Sequence, residues 1–95
     1  MRESRIQKKI TDWLTSQNIW WMKAHQTSFS RSGAPDLIAC TQGRFLAMEV
    51  KTPTGTPTLL QIREREKILK SGGTCEIVRS LEDVKKLVKE MQNGP

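Results

Sequence analysis

The stretch PDLIACTQGRFLAMEVK, Pro35 to Lys51, limits the fold more than any other part of the chain. Two apolar runs flank Gln42 and Gly43, a pair suited to the central positions of a tight hairpin turn. With that turn Thr41 faces Arg44, and each further pair keeps the same sum of residue numbers, so that Asp36 faces Glu49. The pairs between them, Leu37 with Met48, Ile38 with Ala47, Ala39 with Leu46 and Cys40 with Phe45, are apolar on both faces. That pattern predicts central strands covered on each side. Period-two alternation places Glu49 and Lys51 on one face and Met48 and Val50 on the other.

Three charges thus converge in an apolar setting. Two ionised carboxylates about 5 Å apart repel by about 3 kcal/mol at an effective dielectric of about 20. A shared proton or the Lys51 ammonium can offset this, and a hard divalent cation does so best, because paired carboxylate oxygens suit Mg²⁺ or Mn²⁺. With a phosphate oxygen and water completing its coordination, such a cation activates a nucleophile for phosphodiester cleavage. Lys51, one pleat along, is then placed to orient the attacking water and to neutralise charge building on phosphorus.

The remaining segments arrange themselves around this hairpin. Ile6, Ile10, Trp13 and Leu14 recur at helical spacing and predict an amphipathic helix from Ser4 to Ser16, with Ser4 and Gln7 as a capping box. IWWMKA, Ile19 to Ala24, is aromatic and β-branched and reads as a strand. HQTSFSRSGAP has loop composition, and TPTGTP, Thr52 to Pro57, is a connector. A helix follows from Thr58 to Ser71, ended by Gly72 and Gly73, then a strand TCEIV from Thr74 to Val78. Ser80 caps a last helix with the apolar stripe Leu81, Val84, Leu87, Val88 and Met91. The fold class is α/β, in the order αβββαβα. Strand, crossover helix and strand in one sheet run parallel, so the fourth strand lies beside the third and the four-stranded sheet is mixed.

Length and composition narrow the function. The 95 residues carry no internal repeat and predict a single domain, residues 1–95, large enough for its own core. The apolar runs are too short for a signal peptide or a membrane span, which predicts a cytoplasmic protein with no membrane partner. Cys40 and Cys75 have no CxxC or Cys/His cluster around them, so both are expected as small buried hydrophobes rather than zinc ligands or a disulfide. Sixteen Lys and Arg against ten Asp and Glu give a formal charge of +6 and a pI near 9.8, the balance of a domain that meets phosphates.

PD, twelve residues, then EVK resembles the signature of the PD-(D/E)XK nucleases, whose core order is also αβββαβα. The wider string RSGAPDLIACTQGRFLAMEVKTPTGTPTLLQ, Arg31 to Gln61, resembles the virus-type replication and repair nuclease family, VRR-Nuc. The likeness extends from ESRIQ near the start to GGTCEIVRSLEDV near the end. It implies that Asp36 and Glu49 bind Mg²⁺ or Mn²⁺ with Val50 in the metal set, that Lys51 assists catalysis, and that Glu3 completes the acidic site. Glu3 shares a helical face with Ile6, Ile10 and Leu14 but precedes the helix if Ser4 is its cap, and a solvated acid near a helix N-terminus is the alternative. Gln61 matches a glutamine of the family and serves equally as the reciprocal half of a Thr58 capping box. His25, a lone histidine at a strand end, is either a solvated side chain or part of the site. Ser28, Arg31 and Ser32 lie in the loop before Asp36, either in contact with a DNA backbone or simply solvated. Of the adjacent Trp20 and Trp21, which face opposite ways in a strand, one is available to a subunit interface.

The resemblance implies a metal-dependent DNA endonuclease with a preference for branched DNA such as four-way junctions. No small-molecule organic cofactor is expected. A chain of this size leaves no room for an added DNA-binding domain, and the two cuts of a junction predict a two-fold symmetric homodimer. The alternative function is a catalytically silent DNA-binding module on the same fold, which would not need the acid, acid and lysine set.

Overall fold

The computed structural model describes residues 1–24 and 32–94. Its elements are helix α1 (Glu3–Ser16), strands β1 (Trp20–Lys23), β2 (Leu37–Thr41) and β3 (Arg44–Val50), helix α2 (Leu59–Lys70), strand β4 (Thr74–Val78) and helix α3 (Leu81–Asn93). The four strands form one sheet in the order β1-β2-β3-β4, antiparallel except for the parallel β3–β4 pair. This is the expected α/β fold in the expected order.

The hairpin register follows from its turn. Gln42 and Gly43 take φ of 53° and 72°, the two left-handed central residues of a type I′ turn, whose twist matches that of the flanking strands. Leu37 pairs with Met48 and each step inward holds the predicted partner, down to Thr41 with Arg44.

Alternation then sorts the side chains into two layers. Leu46, Met48 and Val50 of β3 and Leu37 and Ala39 of β2 point to the core, where Ile6, Ile10 and Leu14 of α1 and Val84, Val88 and Met91 of α3 complete the packing. Burying each large aliphatic side chain there contributes about 1.5–3 kcal/mol. Phe45, Ala47 and Glu49 point to the opposite face, on the side of α2. Here the expectation of full cover needs correction, because α2 packs against β4, at one edge of the sheet, and leaves β1 and β2 without a helix over them on this face. Trp20 and Met22 of β1, Cys40 of β2 and Phe45 of β3 are exposed on that face. Cys40 is therefore not the buried hydrophobe that its neighbours suggested, whereas Cys75 is buried. Trp21, facing the other way, packs against the core and donates its indole N–H to Thr15 Oγ1 at 2.9 Å.

The helix starts differ. At α3, Ser80 Oγ accepts the Asp83 N–H while the Asp83 carboxylate accepts the Arg79 N–H, a reciprocal cap. At α1 the expected Ser4 box is absent: the helix begins one residue earlier, at Glu3, and the cap position falls on Arg2, which offers no side-chain acceptor. Among the described residues no helix is long and apolar enough to cross a membrane.

Candidate active site

Pro35 ends the β2–β3 ladder. In a continued ladder the N–H of Val50 would fall to the carbonyl of residue 35; here Asp36 Oδ2 accepts it at 2.8 Å. The Asp36 N–H turns to Met48 O at 3.1 Å, and its carbonyl takes the N–H of Ala24 at 3.0 Å. Asp36 is thus not a strand residue but the plug of the strand end, and a hydrogen bond from a main-chain N–H to a carboxylate contributes about 1.5–3 kcal/mol. Its carboxyl still meets that of Glu49, as the register requires, and the two share a hydrogen bond.

Glu49 is 4% exposed, inside a strand whose other residues from Leu46 on are all buried. Burial is the main cause that pushes its pKa up to about 8; the Asp36 charge and the hydrogen bond with Asp36 add to this, Lys51 opposes it, and Glu3 adds a smaller push. The pair therefore holds a proton at neutral pH, one of the offsets anticipated from the repulsion of two close carboxylates.

Gln61 joins the two readings given to it. Its side-chain oxygen accepts the Thr58 N–H at 2.8 Å and its main-chain N–H donates to Thr58 Oγ1 at 3.1 Å, which closes a capping box at the start of α2. The same carboxamide, its orientation fixed by the cap, donates Nε2–H to Glu49 Oε1 at 2.7 Å. A local helix signal and a candidate site residue are one side chain. The first turn of α2 is held from another direction as well, because Gly33, at φ 83°, brings its Cα against the main chain of Leu60, where a Cβ would lie 2.6 Å from the carbonyl carbon. The loop into Asp36 and the helix that carries Gln61 are thereby fixed to each other.

Lys51 follows β3 directly, half-buried, its N–H bonded to Val78 O at 3.0 Å. Val50 is wholly buried, and what it is seen to bring to the cluster is the N–H taken by Asp36. Glu3 stands apart: it is exposed in the first turn of α1 and reaches the pair through its charge. Among the described residues no group of three or more His, Cys, Asp and Glu side chains is placed to hold a metal ion. Ser32 is exposed in the turn before Gly33. His25, Ser28 and Arg31 lie outside the described residues. What the sequence did not reveal is Arg79, whose guanidinium gathers main-chain carbonyls beside the site.

The geometry has a counterpart among solved structures. One described as a VRR_NUC domain superposes on 92% of this chain and 94% of its own with a TM-score of 0.78 and 31% identical residues. Neither a family model nor a curated protein matches the sequence.

Proposed function

The chain belongs to the VRR-Nuc family and is a nuclease domain, and from that premise we propose that it is a metal-dependent DNA endonuclease acting on branched DNA, four-way junctions above all, as a homodimer. The observation that carries the reading is the Asp36–Glu49 pair, with Glu49 buried, bonded to Gln61 and within reach of the Lys51 charge. A structural salt-bridge patch does not need two carboxyl groups in contact.

The donor set fits a hard cation. Asp36 and Glu49 would hold Mg²⁺ or Mn²⁺, each carboxylate already aimed through one oxygen, Asp36 by Val50 N–H and Glu49 by Gln61. The charge of Asp36, which together with burial keeps a proton on Glu49, also favours such an ion at the pair. When bound, the cation supplies Lewis-acid activation at the scissile phosphate. The remaining work falls to the chain. Lys51 sets its ammonium beside the pair, favours the ionised form of Glu49, and orients the attacking water toward phosphorus. Gln61 holds one Glu49 oxygen so that the carboxylate cannot rotate out of place. The open amides at the α2 N-terminus supply a partial positive charge on the same side. The excess of six positive charges supports a polyanionic substrate.

The homodimer reading has its own support. Trp20 at 57% exposure, Met22 and Phe45 leave apolar side chains on the open sheet face, and Leu59 at 61% and Leu60 do so on the first turn of α2. An isologous contact there would match the two-fold symmetry of a junction.

Incubation of the purified protein with duplex, flap and four-way-junction DNA, with Mg²⁺ or Mn²⁺ and with chelator, tests the activity. Cleavage of the junction that depends on metal and is lost in Asp36→Asn, Glu49→Gln and Lys51→Ala is expected. Binding of DNA with no cleavage under any metal would return the chain to a silent binding module. Light scattering at micromolar concentration tests the dimer, and a mass of 10.9 kDa, that of one chain, would refute it.

A further inference from the structure

We infer that Arg79 is a positioning residue of the site: it fixes the connector that carries Lys51 at one end and the Thr58–Gln61 cap at the other. The inference rests on the nuclease reading for its kinetic consequence, but its structural basis is independent of it. The connector, residues 52–57, contains no helix or strand. Pro53 and Pro57 have no N–H to give, and its own bracing is the bond from Gly55 N–H to Thr52 O at 3.1 Å. The protein donor its carbonyls receive from outside is Arg79. Nη1 donates to Thr52 O and Gly55 O, each at 2.7 Å, with Pro53 O at 3.4 Å.

Arg79 is itself well held. It follows Val78, whose carbonyl accepts the Lys51 N–H, and its own N–H is taken by Asp83 at 2.8 Å. Lys51 and Gln61 are thus referenced to one point at the end of β4, although ten residues separate them in sequence. A guanidinium suits this task because its charge strengthens each bond to a carbonyl and the two hydrogens of Nη1 serve two carbonyls at once. Without it the connector relaxes, and the Lys51 ammonium and the Gln61 carboxamide no longer share a frame. A misplacement of about 1 Å at a reacting centre costs about 10²-fold in rate.

A purely structural role predicts something different, and Arg65 provides the comparison. It donates from Nε to Cys75 O at 2.9 Å and pairs with Glu76 at 3.3 Å, bracing the same strand away from the connector. The test compares Arg79→Met, Arg79→Lys and Arg65→Met in the full chain. It measures melting temperature, metal-free junction affinity, single-turnover cleavage with Mn²⁺, and amide hydrogen exchange at Thr58 and Gln61. For Arg79→Met, cleavage should fall about 10²-fold at unchanged affinity, with faster exchange at Gln61. Arg79→Lys, whose ammonium still reaches carbonyls, should recover most of the rate. Arg65→Met should lose stability without either change. Cleavage by Arg79→Met within threefold of Arg65→Met, or unaltered exchange at Gln61, overturns the inference. So does an Arg79→Met that fails to fold beside an Arg79→Lys indistinguishable from the parent, which would assign Arg79 to folding alone. If the parent protein cuts no DNA, the nuclease reading fails, while exchange at Gln61 still decides whether Arg79 holds the connector.

Discussion

Replacing Gly33 by alanine should damage the protein far more than the same change in the hairpin turn. At Gly33 the backbone has φ of 83°, and a Cβ would lie 2.6 Å from both the carbonyl carbon and oxygen of Leu60 and 2.9 Å from its Cβ. That is roughly 1 Å inside the 3.5–4.0 Å at which carbon atoms pack. The obstacle is main chain in the first turn of α2, which cannot swing aside as a side-chain end would. Left-handed backbone costs alanine about 1–2 kcal/mol, and forcing the contact apart adds about 1–3 kcal/mol. The sum, about 2–5 kcal/mol, is a large share of the 5–15 kcal/mol by which domains are stable, roughly. For a chain of this length it lowers the melting temperature by about 8–40 °C. Gly43 isolates the two contributions, since its φ is 72° but nothing lies within 4 Å of its Cβ position. Gly43→Ala should therefore cost the backbone share alone, about 5–15 °C. Thermal denaturation followed by circular dichroism measures both. Because Gly33 couples the loop into Asp36 to the helix of Gln61, Gly33→Ala should also lose cleavage at temperatures where it remains folded. Equal melting temperatures for the two variants would refute the close contact as the source of the effect.

Other outcomes follow from the site and its surroundings. Thr58→Ala removes the acceptor of the Gln61 main-chain N–H and should cost about 1 kcal/mol, while the Thr58 N–H still holds the Gln61 carboxamide, so cleavage should fall less than in Gln61→Ala; an equal loss of rate in the two variants would refute that. In metal-free protein, Glu49 keeps in the folded state a proton that the unfolded chain releases, so stability should fall as pH rises from the ordinary carboxylate range to about 8. Glu49→Gln should flatten that fall and be the more stable form at pH 9, as read by denaturant midpoints. Cys40, exposed, should react promptly with iodoacetamide, whereas Cys75, whose thiol burial pushes up to about 11, should react only on unfolding, as mass spectrometry would show. Trp20→Glu should shift any dimer toward 10.9 kDa in light scattering without loss of folding.

The parts legible in the sequence were those governed by neighbours along the chain. The turn at Gln42 and Gly43 determined the register, the register brought Asp36 to Glu49, and Ser80 and Thr58 announced their helices. What stayed hidden depended on layers and on backbone. Apolar alternation cannot say whether a helix covers a given face, so Cys40 looked buried until α2 was seen to pack against β4. Ser4 resembled a cap, but its hydroxyl is not used as one because the helix starts at Glu3. Arg79 was invisible because its partners are carbonyls, which every residue possesses and no composition reveals.

The way α2 is attached has a consequence for how the protein wears out. Glu64 is the residue of that helix that is buried, and its leucines and isoleucines lie wholly or partly in solvent. Beside the mid-helix bonds of Arg65 to Cys75 O and Glu76, what secures it lies in the first turn, at Thr58, Leu60 and Gln61, and those first-turn contacts orient Glu49. Heating should therefore detach this end before the α1–α3 layer melts. The midpoint of reversible heat inactivation would then lie below that of unfolding, so that a preparation can look intact by its helical signal after its working life has ended.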